Sequence, residues 1–242
     1  MRRHRGNSNS IAMTIIIVLG AIIVIGMTTQ AQPQGPTSVQ EGPSERYQGS
    51  APYAIDAQAG NVTELSIHAT SISRFWAGYY GNITGTIVLA NANNDSLYEW
   101  DATSPQGQIY ASRNDSLQWS LVVCANDTLI VQEELDMNMG NSPERINLTF
   151  QYQSHPGFWV GSNEITANNC KSTNLFDDNG FQTNAFFQIL LQEGQSAIYT
   201  TIIDPETIGF DGNPYDFQMI VPEDGSQGNT ETTTYYFYVE IE

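Results

Sequence analysis

The segment Ala185–Leu191, reading AFFQILL, is apolar almost throughout. A strand with one face in water alternates apolar and polar residues, whereas a run that is apolar on both parities belongs to a strand covered on both faces. Working outward, shorter runs of period two recur between turn-forming residues. Downstream, Tyr215, Phe217, Met219 and Val221 alternate, and Tyr235, Phe237, Val239 and Ile241 do the same at the end of the sequence. Upstream, Ile146, Leu148, Phe150 and Tyr152 share one parity with Asn147, Thr149 and Gln151 on the other, and Leu117, Trp119, Leu121 and Val123 alternate with Gln118 and Ser120. Leu65, Ile67 and Ala69 alternate with Ser66, His68 and Thr70. Ile87 and Leu89 lead into the turn cluster Asn91–Asp95, and Tyr98 and Trp100 come after it, which predicts a hairpin.

One segment breaks this pattern. Asn126 or Asp127 can cap a short helix carrying Leu129, Ile130, Glu133, Glu134 and Leu135, which ends before Gly140. With about ten strands and one helix, the chain from residue 53 to 242 is expected to be mainly β, an antiparallel β-sandwich. No internal repeat of fixed period is present.

The charge is unevenly placed. The net charge is -18, and Arg2, Arg3 and Arg5 are three of the eight basic residues, so the chain beyond residue 31 carries five basic against 26 acidic residues. A surface of that sign repels nucleic acid and anionic lipid headgroups, and suits divalent or cationic partners or a salty medium. From Tyr47 onward aromatic residues recur to near the end of the sequence, which a disordered protein would lack.

Residues 1–10 form the basic stretch. Residues 11–29 carry no charge and are mostly Ile, Val, Ala, Leu and Met. As a helix this segment spans roughly 30 Å, the thickness of a bilayer core. Basic residues on its N-terminal flank keep that flank in the cytoplasm and send the bulk of the chain outside. Three fates are compatible with it: an uncleaved anchor, a signal peptide cut after Ala31, where Thr29-Gln30-Ala31 supplies small residues, or a pilin-type signal. Residues 30–52 are rich in Gln, Pro, Gly and Ser without hydrophobic period, and read as a linker or stalk.

Two resemblances bear on this. Arg2-Arg3-His4-Arg5-Gly6 before a hydrophobic run resembles the pilin-type (class III) signal that archaeal and bacterial prepilin peptidases cut after a glycine. Residues Trp76–Gly85, WAGYYGNITG, and Phe210–Gln218, FDGNPYDFQ, resemble uncharacterised exported archaeal cell-surface proteins. That resemblance implies a surface protein and brings no activity with it.

Cys124 and Cys170 are the two cysteines of the chain, and an even pair in an exported domain predicts a disulfide. N-linked sequons stand at Asn61, Asn82, Asn94, Asn114, Asn126 and Asn147, with Asn94 and Asn114 in expected turns and Asn147 on the polar face of an expected strand. The late acidic turns, with Asp177, Asp178, Asp211 and Asn213, have the oxygens calcium takes, although the same residue types serve tight turns. No other cofactor is implied. His68 and His155 have no metal-ligand spacing, and neither a nucleophile elbow nor a phosphate loop occurs. Trp76, Tyr79, Tyr80 and Trp159 could stack on sugars, but serve a core equally well.

The sequence therefore leads to a non-enzymatic, membrane-anchored or secreted surface protein, an envelope component or adhesin carrying its domain on a flexible stalk and meeting a glycan or protein partner. A pilin-like filament subunit and a secreted carboxylate-based hydrolase such as a glycosidase are the alternatives.

Overall fold

The computed structural model describes residues 32–102, 104–224 and 232–241. The basic N-terminus and the hydrophobic run 11–29 lie outside them, and among the described residues no helix is long and apolar enough to cross a membrane. The described residues are mainly β, with 14 strands in antiparallel sheets and 2 helices.

AFFQILL lies within the longest strand, β9 (Gln182–Glu193), at the centre of a six-stranded sheet. Beyond Glu193 a two-residue turn, with Gly194 at φ 57°, returns the chain into β10 (Ser196–Ile202). β10 pairs with β4 (Gly107–Ser112), and β4 pairs with β14 (Tyr236–Ile241). The other edge of β9 is shared end to end by two strands. β5 (Val123–Cys124) sits opposite Gln192 and Leu191, and β8 (Ser172–Phe176) runs from Ile189 down to Gln182.

Both faces of this sheet are covered, as the apolar run requires. On one face Ile109, Ala111, Leu190, Ala197 and Tyr199 meet Phe75, Met219, Val221 and the helical segment. That segment holds α1 (Asp127–Asp136) and the single turn α2 (Ile146–Thr149). On the other face Tyr110, Ile189, Leu191 and Ile198 meet Trp119, Val122 and the hairpin of β6 (Phe158–Val160) and β7 (Asn163–Ile165). Buried Glu240 on β14 holds that hairpin by accepting from the Gly161 amide at its turn and from the Tyr110 hydroxyl.

β13 (Phe217–Pro222) pairs along one edge with β1 (Trp76–Gly81) and lies over the central sheet. Its attachment to that sheet is made by side chains. The Gln188 amide donates to Ile220 O at 2.6 Å and accepts from Ile220 N at 3.0 Å, and the Thr201 hydroxyl donates to Gln218 O at 2.9 Å.

Several expectations are corrected. The strands number more than ten, and a second helix is present. The expected strand 146–152 is instead α2 and a turn after it. Ile146 and Phe150 are four apart, a spacing shared by both periods, and both are buried, while Leu148 and Tyr152 are exposed. Across 117–123 the chain makes a turn of 3-10 helix at Trp119–Leu121, because Trp119 packs between Tyr110 and Tyr238. Residues 65–69 form no strand. The expected helix is present, with the Asn126 side chain accepting from Leu129 N at 2.9 Å. The expected linker is docked at its start: Gln34 and Val239 exchange two backbone hydrogen bonds, of 3.0 and 2.8 Å, on the outer edge of β14. Residues 35–71 are then exposed throughout.

Cys124 and Cys170 are bonded, with 5.0 Å between their Cα atoms. The disulfide closes the point where β5 leaves the edge of β9 and β8 joins it. Its 46-residue separation makes it worth about 4 kcal/mol on the chain-entropy account. Cys124→Ser with Cys170→Ser should lower the unfolding free energy by about that amount in urea, and reductant should do the same to the native chain. Gln188→Leu, which keeps the volume but strips Ile220 of both partners, should cost about 2 kcal/mol in the same measurement.

Candidate interaction surface

The stretches Trp76–Gly85 and Phe210–Gln218 are brought together. Tyr80 pairs with Gln218 and Gly81 with Phe217, and Tyr80 packs on Phe210 and Tyr215 at centroid distances of 5.0 and 4.8 Å. Buried Asp216 clamps the chain just beyond β1: its carboxylate accepts from Ile83 N at 2.7 Å and from Glu206 N at 3.0 Å. From this base the chain leaves into a two-stranded ribbon, β2 (Gly85–Ala90) and β3 (Ser96–Ala102). Gly85 lies so close to Ile241 that a Cβ there would meet its side chain.

Register sorts the ribbon into two faces. Ile87 lies opposite Trp100 and Leu89 opposite Tyr98, giving an apolar face; Thr86 lies opposite Asp101 and Val88 opposite Glu99 on the other. Tyr98 and Trp100 pack on each other, with centroids 4.7 Å apart. The apolar face is nevertheless open: Ile87, Leu89, Tyr98 and Trp100 are 45 to 59% exposed. Both outer edges of the ribbon carry no strand among the described residues. A lone two-stranded ribbon is marginal in water, and an amphipathic one left uncovered marks a contact surface.

A second region combines burial and charge. Ser112, Arg113, Asn114, Glu133 and Ser196 line an open cleft of 340 Å³. Arg113 donates to Glu133 at 2.7 Å and to Asp136 at 3.3 Å. Glu133 is buried and its Oε2 has no hydrogen-bond partner, as is true of the neighbouring Tyr199 hydroxyl. Burial pushes the Glu133 carboxyl above the usual range, with Arg113 pulling partly against it. Burial likewise raises Tyr199 and Tyr235.

The acidic turns 177–180 and 211–213 are neighbours, Asp178 standing beside Gly212. Their carboxylates are turned onto their own loops. Asp177 accepts from the amides of Asn179 and Phe181, and Asp211 from the amide and side chain of Asn213 and from the Tyr215 hydroxyl. The Asn213 hydrogen bond leads in holding Asp211 below the ordinary carboxylate range. Among the described residues no group of three or more His, Cys, Asp or Glu is placed to hold a metal.

His155 is buried beside the disulfide. Its Nε2 accepts from Cys170 N, so Nδ1 carries the hydrogen that faces Pro156 O at 2.8 Å. His68 is exposed, far along the chain from any ligand partner. Of the four aromatic residues suited to sugars, Trp76 is committed to Glu144 O at 2.7 Å, Tyr79 packs edge-on against Phe237, and Trp159 sits on β6, so they form no single platform. Asn61, Asn82, Asn94 and Asn126 are exposed, and Asn126 caps α1 through its oxygen, leaving its nitrogen to the solvent side. Asn114 is half-buried with its nitrogen on Ser196, and Asn147, on α2, receives Lys171.

The ribbon's apolar face escaped the sequence reading, although its residues were placed in a hairpin. Exposure of one face is a property of what lies around it, which period two alone does not carry.

No protein-family model, curated protein or solved structure matches the chain.

The Glu133 carboxyl gives a pH test. A carboxyl raised in the folded state binds its proton there more readily than in the unfolded chain. The stability it costs is absent below the ordinary carboxylate range and grows as pH rises through the raised value. Glu133→Gln should therefore flatten the fall in melting temperature between the ordinary carboxylate range and neutrality. Arg113→Ala should steepen it and cost about 2 kcal/mol at neutral pH, less than for a fully buried pair because the Arg113 side chain is 36% exposed.

Proposed function

We propose that the chain is an exported cell-surface protein that acts by contact: an envelope component or adhesin, held at or released from the membrane through residues 11–29. The observation that carries this reading is the amphipathic ribbon β2–β3, projecting from a base fixed by Asp216 with Ile87, Leu89, Tyr98 and Trp100 in water. A face of this kind is costly to leave uncovered, and it suits a surface whose partner arrives after folding. In this reading the central sheet and the β1–β13 ladder are the two leaves of a sandwich, and residues 35–71 are the stalk.

Other features support it. The disulfide pair suits an oxidising compartment. The exposed sequon asparagines offer attachment points for surface glycans. The resemblance of Trp76–Gly85 and Phe210–Gln218 to archaeal surface proteins falls on the two segments that build the base of the ribbon. A pilin-like filament subunit is the variant of this reading in which the ribbon's partner is another subunit.

Protease treatment of intact cells tests it. The expected outcome is cleavage within residues 35–71 and release of the disulfide-bonded domain as a discrete fragment. Survival of the whole chain while known surface proteins are cut would overturn the surface reading. Sequencing the mature N-terminus then separates the forms: Asn7 for a filament subunit, Gln32 for a released protein, Met1 for an anchored one.

A further inference from the structure

Residues 64–70 have the pattern of a strand that the described residues do not form. Residues Glu64–Thr70 carry a clean period of two, with Leu65, Ile67 and Ala69 on one side and Ser66, His68 and Thr70 on the other. They take part in no strand, and Leu65 and Ile67 are 53% and 82% exposed. The chain thus displays an amphipathic arm without an edge and an amphipathic ribbon without a third strand.

We propose that this arm adds as a strand to the outer edge of β3 in a second copy of the chain. The inference rests on the contact reading above and names the partner.

Three observations favour it. The first is reach. The arm ends at a fixed point: Ser73 and the amide of Arg74 are held by Glu144, whose backbone also takes the Trp76 indole. The ribbon leaves from the opposite end of β1, after Gly81. Six residues of strand separate the two points by roughly 20 Å. Folded back within its own chain, the arm would spend much of its length running alongside β1 before meeting the ribbon. A second copy sets no such limit on how much of 64–70 lies along the ribbon.

The second is the match of faces. An added strand alternates with its neighbour, so Leu65 and Ile67 extend the apolar face beside Tyr98 and Trp100, while His68 falls on the side of Glu99 and Asp101. An imidazole N–H beside those carboxylates is a complementary contact, and β2 offers only Thr86 and Val88 there. This selects the edge of β3.

The third is that the domain already accepts extended chain at an open edge. Gln34 bridges to Val239 on β14 by two backbone hydrogen bonds, the pairing mode that strand addition uses.

The test uses the full chain in detergent, with Ile67→Cys in one preparation and Tyr98→Cys in another, differently tagged. Both positions are exposed, so the fold is left intact. After mixing and treatment with a short thiol-reactive cross-linker, the expected product is a heterodimer of twice the chain mass. Adding Leu65→Asp to the first chain should reduce its yield roughly tenfold, the loss expected from one apolar side chain removed from the contact. Three results would overturn the proposal: no heterodimer; an equal yield when Tyr98→Cys is replaced by Asp115→Cys, a surface position away from the ribbon; or a doubly substituted chain that links only to itself at monomer mass. Protease treatment of cells scores the surface reading separately. A shaved chain that gives no heterodimer overturns this inference alone, and a heterodimer from a chain never exposed on cells overturns the surface reading alone.

Discussion

A single side-chain amide stands where a neighbouring strand would be. Gln188 lies in the middle of β9, in a sheet buried on both faces, and its two polar atoms bond both backbone groups of Ile220 on β13. Without that bond, a polar side chain would be stranded in the core and a strand edge would face it unpaired. With it, the β1–β13 ladder is fixed against the central sheet in one register. Thr201 and Gln218 continue the same seam, Gln218 reaching from β13 to Phe176 O and the Phe210 amide. The position of β1 is set by this seam, and the ribbon that continues β1 inherits it. The base of the exposed surface is therefore held by polar atoms deep in the protein.

The parts of the fold that were legible in the sequence are those where one physical demand dominates. AFFQILL, apolar on both parities and short, read as a strand covered on both faces, and it is one. A cap at Asn126 or Asp127 was legible, because the first turn of a helix leaves amides unpaired and either side chain is the right length to take one; Asn126 is the one that does. The Ile87–Trp100 hairpin had both alternation and a turn cluster. The misread segments are those where two periods coincide or where pairing was missing. Ile146 and Phe150 satisfy a strand and a helix alike, and the choice fell to the buried neighbours of α2. Leu65–Ala69 has the pattern of a strand but joins no sheet among the described residues. Alternation there conveys the segment's chemistry correctly and its state wrongly, and the disagreement is what points to a second copy.

The candidate surface was less legible than the fold. The stretches Trp76–Gly85 and Phe210–Gln218 stood out in the sequence, but nothing in it says that they pair. Their separation in the chain hides the Tyr80, Phe210 and Tyr215 cluster, and it hides the clamp of Asp216 on Ile83. The acidic turns show the converse. Asp177 and Asp211 were conspicuous by composition, and their oxygens are spent on the backbone and side chains of the turns they make.

The docking of Gln34 on β14 has a mechanical consequence. Tension applied to the chain ahead of Gln34 falls first on buried Pro33 and on two backbone hydrogen bonds at a sheet edge. Once they part, residues 35–72 can be drawn out to a span of roughly 130 Å before the load reaches the contacts of Ser73 and Arg74 with Glu144. Behind those contacts lie the β1–β13 ladder and the disulfide-closed sheet. The segment thus serves as a reversible extension spring in series with a stiff body. A pull on the chain ahead of Gln34 would be taken up as length before it reached the hydrophobic core.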